Sequence, residues 1–115
     1  MIVKAYVPKQ GDVVWLDFNP QFGHEQAGRR PALVISPESY NAKIGLMLCC
    51  PITNQAKGYP FEVVVRGTAK VIGVVLADQV KSFDWAARSA EFKGKVSPDV
   101  LAETVGKFRA LVETE

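Results

Sequence analysis

The 115-residue chain carries a single histidine, His24, and that scarcity removes many catalytic designs at once. A histidine pair for general acid and base work cannot be assembled within one protomer. Structural zinc has no ligand set, because only two cysteines accompany that histidine. Those cysteines, Cys49 and Cys50, are adjacent in the apolar run LMLCCPI. Neighbouring strand residues face opposite ways, so the pair is poorly placed to form a disulfide or share a metal. Both read as small buried side chains in a reducing compartment. No GxSxG elbow, no Walker-type glycine loop and no Cys/His couple with a third member is present. The acids Asp12, Asp17, Glu25, Glu62 and Asp78 are scattered without DxD or ExxH spacing, so nothing supports a hard-cation site. An enzyme made from this chain is expected to work without metal, through positioning and charge stabilisation by arginine. Phosphate is the substrate group that suits arginine best, because the planar fork donates to two oxygens at once.

Long apolar runs are missing as well. The longest are strand-length, and nothing approaches a membrane helix. The opening MIVKAYVPKQGD has neither the apolar core nor the cleavage-type ending of a signal peptide, so a soluble, cytoplasmic protein is expected. Apolar residues make up 48% of the chain, enough for one real core, and residues 1–115 read as a single domain. Fourteen basic residues against twelve acidic ones leave a net charge of +2. That balance does not suit a protein gripping long duplex by neutralising its backbone, but it permits a local basic groove for a short single strand.

What is present is dense punctuation. Asn19-Pro20, Gly23, Gly28, Pro37, Gly45, Gly58 and Gly67 separate strand-like runs at Asp12–Phe18, Ala32–Ser36, Leu46–Ile52, Phe61–Val65 and Val71–Ala77. A weaker strand follows around Ala90–Lys95. Short strands at this spacing predict a small antiparallel barrel or sandwich. Ser97-Pro98-Asp99 then supplies an N-cap, a first-turn proline and a first-turn acid. Leu101, Val105, Phe108 and Val112 recur at i, i+4, i+7 and i+11, which predicts a terminal amphipathic helix lying on the barrel. Short helical turns are expected at Glu38–Lys43 and Ser82–Ala87.

Three clusters carry candidate chemistry. GHEQAGRRPALVISP sets Glu25, Arg29 and Arg30 on a glycine-containing loop that runs into an apolar strand, and Pro31 biases Arg30 toward extended backbone. Alone, this is equally a surface loop with a weak ion pair. His24 beside it reads as a polar loop residue. CCPITNQAKGYPFEVVV places the Thr53 hydroxyl at a strand end, with Lys57 in the polar loop that follows. Alone, Thr53 is a β-branched strand end or a turn cap, and Lys57 a solvated charge. LADQVKS brings Asp78, Gln79 and Lys81 to the exit of a buried strand.

Taken together, YVPKQGDVVWLDFNP, GHEQAGRRPALVISPESYN, CCPITNQAKGYPFEVVV and GVVLADQVKSFDWAAR resemble the MazF/PemK family of toxin endoribonucleases of type II toxin–antitoxin systems. The match runs from about Tyr6 to about Arg88. The resemblance implies a mainly β (α+β) fold, a small SH3-like antiparallel barrel of the CcdB/PemK type with a C-terminal amphipathic helix. It implies a homodimer that cuts single-stranded RNA at short motifs without metal or cofactor. In such a reaction the 2′-hydroxyl attacks the adjacent phosphorus, leaving a 2′,3′-cyclic phosphate and a 5′-hydroxyl and stopping translation. The arginine of the family's R-P motif falls on Arg30, the threonine after P-x on Thr53, and the acid of E-Q-A-G on Glu25. Arg30 is then the main catalytic group, better suited to stabilising charge than to moving protons given its very high pKa. Thr53 would donate a hydrogen bond to a phosphate oxygen, and Glu25 would organise Arg30 or contact RNA. Arg29, Phe18, Asn41, Lys57 and Gln79 are implied as RNA-binding residues, although the strand position of Phe18 suits core burial equally well. The implied partner is a cognate antitoxin whose acidic, disordered tail covers the RNA groove. Two other readings stay open: a toxin of the same barrel that poisons DNA gyrase, and a member that binds RNA or antitoxin without cutting.

Overall fold

The computed structural model describes residues 6–20, 23–24 and 28–113. Strands β1 (Asp12–Asp17), β2 (Arg29–Val34), β3 (Leu46–Thr53), β4 (Glu62–Val64), β5 (Val74–Leu76), β6 (Lys81–Asp84) and β7 (Glu91–Lys95) alternate with helices α1 (Glu38–Ile44) and α2 (Pro98–Val112). Every pairing is antiparallel, in the order β4-β5-β3-β2-β1-β7. One edge of β3 is shared: its last residues pair with β5 and its first ones with β6. The expected mainly β fold with a terminal helix is therefore what forms. The barrel, however, stays open, because among the described residues no ladder joins edge strand β4 to edge strand β7.

Central strands are apolar at consecutive positions because both faces of the sheet are covered. Val13, Leu33, Cys50, Ile52 and Val75 form one core, closed by Val96 between β7 and α2 and by Val100 in the first turn of α2. Val14, Leu16, Ala32, Val34, Met47 and Cys49 form the other, closed by Phe18, Phe83 and Trp85. Cys49 and Cys50 thus belong to opposite cores, as their adjacency on a strand requires. Burial pushes both thiols up, Cys50 to about 12 with further help from the charge of Asp78, so neither is a reactive thiolate at neutral pH.

Four expectations change on folding. Of residues 82–87 only the second half turns, with the Arg88 N–H donating to the Asp84 carbonyl at 3.0 Å. Lys81–Asp84 becomes β6, drawn into pairing by the edge of β3 from Leu46 to Cys49. The buried stripe of α2 is rotated toward its neighbour: Val100 and Thr104 are buried, Leu101, Val105 and Phe108 flank them, and Val112 is 61% exposed. Thr104 enters the core because its hydroxyl donates to the Val100 carbonyl at 2.8 Å, which a hydropathy pattern does not reveal. Phe18 and Asn41, the remaining two, are removed from the RNA-facing set by burial. Phe18 is 4% exposed and packs edge-on against Phe83 at 5.2 Å between ring centres.

Asn41 is fully buried on α1. Its side-chain amide donates to the Pro8 carbonyl at 2.8 Å and the Ser36 carbonyl at 3.2 Å, while its oxygen accepts from the Ser36 hydroxyl at 2.6 Å. The Asn41 carbonyl accepts the Trp85 indole N–H at 3.0 Å. One residue thereby ties the N-terminal segment, the end of β2 and the β6–β7 connection. Asn41→Ala leaves several buried groups without partners, so unfolding free energy is expected to fall by about 2–3 kcal/mol in urea titration. A loss below about 0.5 kcal/mol would show that this buried network contributes little.

Candidate active site

Arg29 and Arg30 lie in β2 itself and not in the loop before it, with Arg29 opposite Asp17 and Arg30 opposite Leu16 on β1. The strand starts earlier than its apolar run because β1 offers main-chain partners to the two arginines. The β2–β3 register sets Ala32 opposite Pro51. Carried two residues further, it brings Arg30 level with Thr53, the last residue of β3, on the same face. Thr53 is held on its other side by β5, opposite Val74. Gly73 makes that approach feasible: its φ is +132° and a Cβ there would overlap the Thr53 carbonyl. The Thr53 hydroxyl accepts the Gln55 N–H at 3.1 Å, a turn contact that fixes the oxygen while its proton can still be donated.

Two depressions meet at this pair. The larger, about 370 Å³, is lined by Arg30 and Thr53 together with Asn54, Lys57, Asp78 and Gln79. The second, about 330 Å³, again takes Arg30 and Thr53 and adds Trp15, Arg29 and Lys70. Arg30 and Thr53 therefore stand between two adjoining concavities, with Lys57 on one side and Arg29 and Lys70 on the other. Cations spread along such a track suit successive phosphates of a single strand.

Among the sequence candidates, the fold brings together Arg30, Thr53, Lys57, Gln79 and Arg29. Arg29 is also engaged locally: its guanidinium donates to the Ser89 carbonyl at 2.9 Å and lies 3.6 Å from the Glu91 carboxylate. Gln79 is half-buried, and its side-chain oxygen has no donor against it among the described residues. Glu25 lies outside the described residues. Lys70 is invisible to sequence reasoning, since a lone lysine after the Gly67 turn carries no signal until residues 66–73 fold beside β3. His24 lines the larger cavity too. Among the described residues, no three His, Cys, Asp or Glu side chains converge on one point.

A family model described as "PemK-like, MazF-like toxin of type II toxin-antitoxin system" matches residues 9–112. The chain belongs to this family. It is 53% identical to the endoribonuclease toxin MazF of Escherichia coli K12 over 96% of this chain and 99% of that one. The same organism's endoribonuclease toxin ChpB is 38% identical over 97% of this chain and 100% of its own. Among solved structures, MazF of Deinococcus radiodurans superposes with a TM-score of 0.90 at 56% identity, covering 94% of this chain and 98% of that one. A MazE–MazF structure from the same bacterium gives a TM-score of 0.84 at 49% identity, covering 96% and 100%. These relatives span nearly their full length on the present chain, so the PemK/MazF-like fold accounts for almost all of it.

Within the larger depression, the Asp78 carboxyl is perturbed. Partial desolvation at the cavity wall raises it above the usual carboxylate range although the residue remains exposed, a hydrogen bond from its own main chain opposes that, and the charge of Glu62 adds to it. With the folded value raised, the stabilising contribution is complete below the ordinary carboxylate range and is lost as pH rises through the raised value. Asp78→Asn removes this penalty. The variant is expected to melt above the parent at pH 7, with the difference closing by about pH 3.5. Thermal scans in which the asparagine form melts lower at pH 7 would contradict that origin of the shift.

Proposed function

We infer that this protein is the toxin of a type II toxin–antitoxin pair and that it cleaves single-stranded RNA at the junction of the two depressions. The observation that carries this is Arg30 level with Thr53 on neighbouring strands, between concavities lined with cations, in a chain so similar to proteins named endoribonuclease toxins. The gyrase-poisoning alternative calls for no such pair, and none of these relatives favours it.

The nucleophile belongs to the substrate. The 2′-oxygen forms a bond to the adjacent phosphorus, the bond from phosphorus to the 5′-oxygen breaks, and the products are a 2′,3′-cyclic phosphate and a 5′-hydroxyl. The 2′-proton departs and the 5′-oxygen gains one. No activated water or metal ion is required by this chemistry, so the protein contributes alignment and charge. Arg30, half-buried at its strand position, donates to the non-bridging oxygens as charge builds on the phosphorane. Thr53 adds a neutral hydrogen bond from a fixed oxygen and helps to hold the phosphate for in-line attack. Glu25 organises Arg30 or contacts RNA, and Arg29, Lys57 and Gln79 bind the strand on either side.

The same cations explain the choice of partner. An antitoxin with an acidic, disordered tail would lie in this track, neutralise Arg29, Arg30 and Lys57, and block RNA by occupying its path. The MazE–MazF structure from Deinococcus radiodurans is a precedent by name for such a pair. The protein acts as a homodimer in the cytoplasm, with residues 1–115 as one functional domain. No helix among the described residues is long and apolar enough to cross a membrane.

Long single-stranded RNA incubated with the protein in EDTA should give discrete cuts mapped by primer extension. Arg30→Ala is expected to lower cleavage by about 10²–10³-fold, in line with loss of a donor to a developing oxyanion. Thr53→Ala should cost about tenfold, as for one neutral hydrogen bond. Arg30→Lys would recover little, since an ammonium cannot form the two-point contact. Unaltered cutting by Arg30→Ala would refute this site, and no cutting by antitoxin-free wild-type protein would return the gyrase reading.

A further inference from the structure

The loop of residues 54–61 supplies Asn54, Lys57 and Tyr59 to the larger cavity, yet it contains no helix or strand. Exposed segments of this kind lose considerable entropy when they must hold one shape around a ligand. The shape here depends on one side chain. Glu62, the first residue of β4, receives the Lys57 N–H on one carboxylate oxygen at 3.0 Å and the Gly58 N–H on the other at 3.0 Å. Gly58, at φ +79°, allows the chain to turn so that both successive amides point at the same carboxylate.

The main chain of Glu62 is anchored separately. Its N–H donates to the Tyr59 carbonyl at 3.1 Å, and its carbonyl accepts from the Lys107 ammonium of α2 at 2.7 Å. Lys107 is itself paired with Glu103 one helical turn earlier, at 3.2 Å. Tyr59 and Phe61 stack at 5.3 Å between ring centres, and both line the same cavity as Lys57. Helix α2, β4 and the loop are thus linked through a single residue, whose side chain is committed to loop amides.

We propose that Glu62 is a positioning residue that holds the 54–61 loop in its RNA-binding shape and so presents Lys57 to the strand; this rests on reading the cavity as an RNA site. A carboxylate beside a phosphate track is otherwise unfavourable, since it repels the substrate. Engagement by two amides disperses that charge and gives it a structural purpose.

Because the Glu62 main-chain bonds do not involve its side chain, substitution leaves them in place and removes the two loop contacts; the negative charge that leaves with them would by itself favour phosphate binding, so a rise in KM reports the loop. Amide hydrogen exchange and steady-state cleavage of an oligoribonucleotide bearing a mapped cut site should be measured together, without antitoxin. In Glu62→Ala, the Lys57 and Gly58 amides are expected to exchange about tenfold faster while Cys50 and Val75 keep their protection. KM should rise about tenfold with kcat changed less than about twofold, the pattern of lost binding without lost chemistry. Glu62→Gln should fall between, since its amide oxygen replaces one acceptor and its nitrogen none. Lys57→Ala combined with Glu62→Ala should be no worse than Lys57→Ala alone, as for two residues acting through one contact.

Unchanged exchange at Lys57 and Gly58 would overturn the proposal, as would a fall in kcat at constant KM. Should the alanine form fail to fold, the glutamine form carries the same exchange measurement: faster exchange at the two amides supports the proposal, and unchanged exchange overturns it. Wild-type protein that cuts no RNA would defeat the function inferred above, whereas the exchange arm would still judge whether Glu62 holds the loop.

Discussion

Strand β3 is the constraint on which the rest depends. It pairs with β2 along one edge and divides the other between β5 and β6, so three strands take their register from its eight residues. Its side chains enter both cores, Cys50 and Ile52 on one face and Met47 and Cys49 on the other. A strand covered on both faces cannot slip by one residue without exchanging its two apolar sets. That rigidity is passed to its last residue, Thr53, which stands where the buried ladder meets solvent. A hydroxyl at the end of a fixed strand, with an irregular loop beyond it, is held in position independently of that loop's shape.

Electrostatics in the site come from few charges in a nearly neutral protein. A net charge of +2 supplies little long-range attraction for RNA. Local arrangement compensates: Arg29, Arg30, Lys57 and Lys70 line adjoining depressions, while acids nearby are largely occupied. Glu91 lies against Lys93 and Arg29, and Glu62 takes two loop amides. Asp78 is the exception. Its carboxyl is raised chiefly by partial desolvation, and it places an acceptor beside Gln79 in a cavity otherwise rich in donors. A site made of both kinds of group can bind phosphate and still read hydrogen-bonding edges of unstacked bases.

Much of this is legible in the sequence, for identifiable reasons. Runs such as VVWL and LMLCCPI announce buried strands because they are short, apolar at consecutive positions and bounded by turn residues. The Ser97-Pro98-Asp99 start of α2 is equally local, although Ser97 makes no side-chain cap bond. Arg30 and Thr53 are recognisable through motifs flanked by proline, which have meaning at short range. Residues decided by distant neighbours are less legible. Phe18 and Asn41 carry chemistry that suits RNA, yet Phe83 of a later segment claims the first for the interior, and the Pro8 and Ser36 carbonyls with the Ser36 hydroxyl claim the second. Residues 82–87 suggest a helical turn because short polar–apolar stretches lack a decisive period; the vacant edge of β3 selects a strand up to Asp84, and the turn follows it.

By itself, then, the chain determined most of the strands (β6 excepted), where the terminal helix begins, that both cysteines are interior, and which family's motifs it carries. These properties follow from local preference and from spacing along the backbone. Tertiary structure alone decided that the barrel stays open, that Arg30 comes level with Thr53, that Lys70 joins the track, and that Glu62 faces the loop amides. Each depends on contacts between residues far apart in sequence or on the turn of a loop. Their geometry is set by antiparallel register and close packing, which no short window of residues encodes.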